Sequence, residues 1–172
     1  MGTWDWDDVP NKTLALEGAP KAAQLAASIV PDKTLSDDWH KSVQDQTGLP
    51  QLGLIEWSVS DEVQSIFPIL RMMGSKVGYV VEQGAELKPV DYFREISLDD
   101  QTASQISADY ALDMPMAFVD EQQICALMSY HSDYALIALR ADVFQEWIDK
   151  GALDLTMWGD QESYPPPQNL EE

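Results

Sequence analysis

The sequence predicts an α+β fold, a mainly antiparallel sheet with helices packed on one face. Three observations lead there. β-rich runs at Val77–Val81, Val90–Phe93, Met116–Val119, Ile124–Tyr130 and Tyr134–Leu139 cluster as neighbours, several of them joined by turn signals. Segments with helix formers and capping residues lie before, between and after these runs. No repeat occurs at a fixed period, which speaks against solenoids and propellers.

The first eighteen residues combine Trp4, Trp6, three aspartates, Pro10 and Gly18 without periodicity, and read as an arm or edge segment pinned by its tryptophans. A helix follows. Pro20 suits a first turn, Ala22, Ala23, Ala26 and Ala27 favour helix, Leu25 and Ile29 mark an apolar stripe, and Pro31 stops the run. A second short helix is expected from Asp37 to Thr47, capped by Ser36 and ended by Gly48. Between Leu49 and Met73 periodicity leaves strand and helix open. Leu52, Leu54, Ile55, Trp57 and Val59 look like a strand, and Asp61 to Leu70 like a helix broken near Pro68.

Val77 to Val81, a turn at Gln83-Gly84 and an extended stretch around Val90, Tyr92 and Phe93 read as a hairpin, with Pro89 placing the second strand at an edge or bulge. Ser97 and Asp100 resemble a capping pair, and Ala103, Ile106 and Tyr110 share one face, so a helix is expected over Leu98–Leu112. Met116–Val119 is β-like. Ile124–Tyr130 and Tyr134–Leu139 flank His131-Ser132-Asp133 as two strands and their turn, although Ala-Leu-Met also suits a helix. Asp142, Val143, Phe144, Trp147, Ile148 and Gly151 outline a last helix. Residues 1–159 are expected to form one acidic domain and 160–172, with Pro165-Pro166-Pro167, an extended tail.

The 172-residue length and 45% hydrophobic content can supply a core of ordinary size. The single cysteine, Cys125, excludes an intramolecular disulfide and a cysteine-rich zinc site. The acidic start, Met1-Gly2-Thr3-Trp4-Asp5-Trp6-Asp7-Asp8, lacks the basic and apolar regions of a secretory signal, and Arg71 interrupts the apolar run Ile66–Leu70. A cytoplasmic location is the resulting expectation.

Charge is the dominant signal: 30 acidic against 10 basic residues, a formal net charge of −20. Met1–Arg94 holds 14 acidic and 8 basic residues, whereas Glu95–Glu172 holds 16 acidic and only Arg140 and Lys150. Such a surface repels phosphate backbones and anionic headgroups, which argues against direct nucleic-acid or membrane binding and for a basic protein partner.

Chemistry-bearing constellations are sparse. Cys125, His131 and Asp133 could suggest nucleophile, base and orienter, but Cys125 sits in an apolar run where a buried thiol is the ordinary occupant. Asp5, Asp7 and Asp8 invite a calcium loop, yet the required glycine and glutamate positions hold Pro10 and Leu16. Gly74-Ser75-Lys76 lacks the earlier glycine of a phosphate loop, Ile69 standing there. No catalytic residue, metal or cofactor is therefore expected. Asp99, Asp100, Asp109, Tyr110, Asp113, Asp120, Glu121 and Asp133 make the candidate partner-binding set, with Tyr130 and Tyr134 as further aromatic anchors. The alternative for these carboxylates is a solubilising face.

In size, acidity, cytosolic character and want of a catalytic motif, the chain resembles bacterial immunity proteins that neutralise toxins from neighbouring cells. The resemblance is one of class, and no family site residues are carried over. It implies a tight stoichiometric inhibitor whose carboxylates occupy the basic substrate site of a cognate toxin, often a nuclease. Competing readings are a nucleic-acid mimic that blocks a nuclease or restriction enzyme, a small-ligand domain or enzyme with an unfamiliar site, and a scaffold module.

Overall fold

The computed structural model describes residues 6, 8–29, 45, 48, 51–55, 59–82, 91–112, 116–131, 134–140, 142, 143, 146 and 149. Within them the elements run β1 (Asn11–Ala15), α1 (Lys21–Ile29), β2 (Gln51–Ile55), α2 (Val59–Met72), β3 (Val77–Glu82), β4 (Tyr92–Ser97), α3 (Asp100–Asp109), β5 (Met116–Asp120), β6 (Cys125–His131) and β7 (Tyr134–Leu139). The strands form one seven-stranded sheet in the order β1-β4-β3-β5-β6-β7-β2. Every neighbouring pair is antiparallel. The chain is an α+β protein.

Strand periodicity sorts the sheet's side chains into two cores. Val80, Ile96, Met116, Phe118, Cys125, Leu127, Ile137 and Leu139 meet α2 and α3 on one face. On the other, Tyr79, Val81, Phe93, Ala117, Val119, Ala126, Met128 and Ala138 meet α1. The two longer helices thus share one face, as expected, but α1 covers part of the opposite one. Alanine explains how α1 fits: the helix lies over β3 and β5, and its buried Ala22, Ala23 and Ala26 let it approach the sheet closely.

In α2 the buried residues Val63, Ile66, Phe67 and Leu70 form a stripe at helical spacing. The helix runs through Pro68 rather than breaking there. Burial of that stripe on both sides of the proline outweighs the roughly 3 kcal/mol that an interior proline costs. Gly74, at φ 99°, ends the element in the left-handed conformation, and the Ser75 amide returns to the Leu70 carbonyl at 3.0 Å. Phe67 stacks on Phe118 at 6.1 Å between ring centroids, joining α2 to the middle of the sheet.

Several expectations shift. The Leu49–Met73 stretch contains both a strand and a helix. β4 lies between β1 and β3, so it is an interior strand. Its proposed turn at Gln83-Gly84, and Pro89, fall outside the described residues. Helix α3 starts after Asp99, which replaces Ser97 as the cap, and Tyr110 leaves the helical face as a left-handed terminus at φ 52°. Ile124–Tyr130 is resolved as strand for Cys125 onward. Asp142, Val143, Glu146 and Asp149 are helical and Val143 is buried. Trp147, the Asp37–Thr47 helix apart from Asp45, and the 160–172 tail lie outside the described residues.

Candidate partner-binding surface

Asp99 is extended (φ −90°, ψ 168°), and its Oδ1 accepts the Thr102 amide at 2.7 Å. That bond satisfies one of the donors orphaned at the start of α3 and holds the carboxyl below its ordinary value. Asp100 accepts Arg71 Nη2 at 2.8 Å while Arg71 Nη1 donates to the Leu98 carbonyl at 2.6 Å, tying the end of α2 to the start of α3. At the other end of α3, about 14 Å away at ~1.5 Å per residue, Asp109 Oδ2 accepts Gln105 Nε2 at 2.7 Å. Tyr110 beside it is about half exposed.

Asp120 is the main departure from the sequence reading. It is completely buried. Its Oδ1 accepts the Ile124 and Cys125 amides, each at 2.7 Å, and its Oδ2 accepts the Gln122 amide at 3.1 Å and the Ser75 hydroxyl. One carboxylate thereby closes the β5–β6 turn and fastens it to the segment between α2 and β3. Burial pushes this carboxyl up, against the four hydrogen bonds that pull it down. Glu121 next to it accepts the Lys76 and Val77 amides. The signal that could have revealed this role is an aspartate opening a four-residue turn, Asp120 to Gln123, where the Gln123 amide bonds the Asp120 carbonyl at 2.9 Å.

The acidic set is therefore not one patch. Asp99, Asp100 and Glu121 gather at one end of the sheet, where the Leu98 amide meets the Lys76 carbonyl and the Glu121 amide meets the Val77 carbonyl. Asp109 and Tyr110 stand apart along α3, and Asp120 cannot reach a partner at all. Each described carboxylate of the set already has a partner within the chain, because acidic side chains are the ready acceptors for unpaired backbone amides and for arginine. Asp113 and Asp133 lie outside the described residues, and Tyr130 and Tyr134 are described as strand only.

Cys125 is fully buried, and burial followed by the nearby Asp120 charge raises its thiol well above the ordinary value. A group so held is not a nucleophile at neutral pH. Backbone pairing sets His131 opposite Tyr134. Among the described residues no three His, Cys, Asp or Glu side chains cluster to hold a metal, and no helix is long and apolar enough to cross a membrane.

Sequence reasoning missed a polar cluster at the β1 edge. Arg94 Nε pairs with Glu82 at 2.9 Å, and Nη1 donates to Asn11 Oδ1 at 3.2 Å and Thr13 Oγ1 at 3.3 Å. Its guanidinium lies 5.5 Å from the Trp6 ring centre and 5.9 Å from that of Tyr92. Trp6 is buried with its Nε1 unpartnered among the described residues, and Asn11 Nδ2 reaches back to the carbonyls of Trp6 and Val9. The tryptophan-bearing arm is thus pinned beside the edge strand β1. No family model, curated protein or solved structure matches the chain.

Proposed function

We propose that this protein is a cytoplasmic binding protein that docks a basic protein partner, in the manner of an immunity protein that neutralises a basic toxin. The observation that carries the reading is charge left over once internal pairing is accounted for. Ion pairs take Lys12, Arg71, Arg94 and Arg140 to Glu95, Asp100, Glu82 and Asp142, so these cations are already matched within the fold. With a formal charge of −20, an excess of carboxylate remains to generate a field around the molecule. Self-repulsion of that size opposes compaction, and a cationic partner would relieve it while gaining a steered association.

The test is co-expression with the product of the adjacent reading frame, followed by co-purification and stopped-flow association across a salt series. The expected result is a stoichiometric complex whose association rate falls about tenfold or more between low and high ionic strength. No complex, or an association rate indifferent to salt, would overturn the proposal.

A further inference from the structure

Strand β1 is one of the two edge strands of the sheet, and its outward side has no strand neighbour among the described residues. The Leu16 amide bonds the Asp91 carbonyl at 2.9 Å, in register with Leu14↔Phe93 and Lys12↔Glu95. In an antiparallel ladder the intervening residues Asn11, Thr13 and Ala15 therefore turn their N–H and C=O groups away from β4. Lys12 to Ala15 are exposed. Leu14, on the face that carries Phe93, is 41% exposed and offers apolar surface at the edge. Asp8 stands before the strand and Glu17 and Asp91 at its far end, all three exposed and in no ion pair among the described residues. The cations close by, Lys12 and Arg94, are held by Glu95 and Glu82.

From this we infer that the β1 edge takes up an extended, Lys- or Arg-bearing segment of the partner as an added strand. The segment would hydrogen-bond to Asn11, Thr13 and Ala15, set apolar groups beside Leu14 on the face that carries Phe93, and place cations near Asp8 at one end and Glu17 and Asp91 at the other. Main-chain pairing supplies affinity there, and the flanking carboxylates select for positive charge. A second copy of the chain fits worse, since it would bring like charges together. The inference rests on the basic-partner reading but names a mode of contact which that reading does not require.

The probe is a short peptide of alternating lysine and valine, titrated into the isotope-labelled full chain, with amide hydrogen exchange as the readout. The Asn11, Thr13 and Ala15 amides should exchange freely in the unbound protein. They should slow about tenfold or more with peptide, in keeping with one new hydrogen bond each. Thr13→Pro removes the outward N–H, which an edge strand tolerates, together with the hydroxyl that accepts Arg94 Nη1, and should weaken binding by a similar factor, whereas Thr13→Ala, which loses the hydroxyl alone, should bind as the wild type does. A peptide N-methylated at its valines keeps its charge but cannot add as a strand, and should not protect these amides. If it binds as well as its parent, the edge inference falls and the basic-partner reading stands. Amides already protected in the unbound chain, or absence of binding by the parent peptide, would also overturn the edge inference; the co-expression experiment judges the broader reading separately. Should Thr13→Pro fail to fold, the wild-type exchange pattern still decides.

Discussion

Replacing Asp120 by alanine removes the acceptor for the Ile124, Cys125 and Gln122 amides and for the Ser75 hydroxyl. Ile124 and Cys125 are buried, so their amides are left without solvent, whereas the Gln122 amide keeps a 3.3 Å contact with Ser75 Oγ. At about 1–3 kcal/mol for each orphaned buried donor, partly offset because the buried charge disappears too, the loss comes to about 3–5 kcal/mol. Asp120→Asn should cost less, about 1–3 kcal/mol. Its remaining oxygen can serve Ile124 and Cys125 while its amide donates to Ser75 Oγ. Urea unfolding followed by tryptophan fluorescence measures both, and amide exchange at Ile124 and Cys125 should quicken in the alanine variant. The pH sign follows from burial: this carboxyl is raised above 3.8, so the native state binds its proton more readily than the unfolded chain does. Its contribution is greatest in acid and declines as pH rises through the folded value, a trend that Asp120→Asn should abolish. An alanine variant within about 1 kcal/mol of wild type would refute the reasoning, because it would mean the hydrogen bonds only balance the cost of burying the charge.

Asp99→Ala should lose about 1 kcal/mol of stability by uncapping α3, while Asp99→Asn should lose little at neutral pH. Because the Asp99 carboxyl titrates below its ordinary 3.8, the stability from its charge is present above that value and lost as pH falls through the folded one. The difference between wild type and Asp99→Asn should therefore shrink in acid unfolding curves. Gly78→Ala would place a Cβ 2.2 Å from the Phe118 ring. Overpacking of about 1–3 kcal/mol is expected in chemical denaturation, and Phe118→Leu in the same chain should recover part of it. The Cys125 thiol should resist a disulfide reagent in the folded protein and react in step with unfolding across a urea series; rapid labelling without denaturant would contradict its burial.

Elements whose residues repeat a local pattern were legible from the chain. The alanine helix from Lys21 to Ile29, the β-rich runs and the two strands β6 and β7 appear where propensity places them, although His131 continues β6 and the rest of the expected turn lies outside the described residues. The candidate site was less legible. Asp99, Asp100, Asp120 and Glu121 look identical in a charge count, yet they cap a helix, pair with an arginine, fill a buried turn and hold two amides where β3 begins. Nothing in local composition separates a solvated carboxylate from one that accepts an amide 45 residues away.

By itself the sequence determined the α+β class, the inventory of core side chains and the excess of negative charge, because these depend on composition and on neighbours along the chain. Tertiary structure alone decided that β1 and β2 lie at opposite edges of the sheet, that α1 covers part of the second face, that α2 continues through Pro68, and that Asp120 is buried. Each of those outcomes is set by contacts between residues distant in sequence, where burial and satisfaction of backbone groups outweigh local preference.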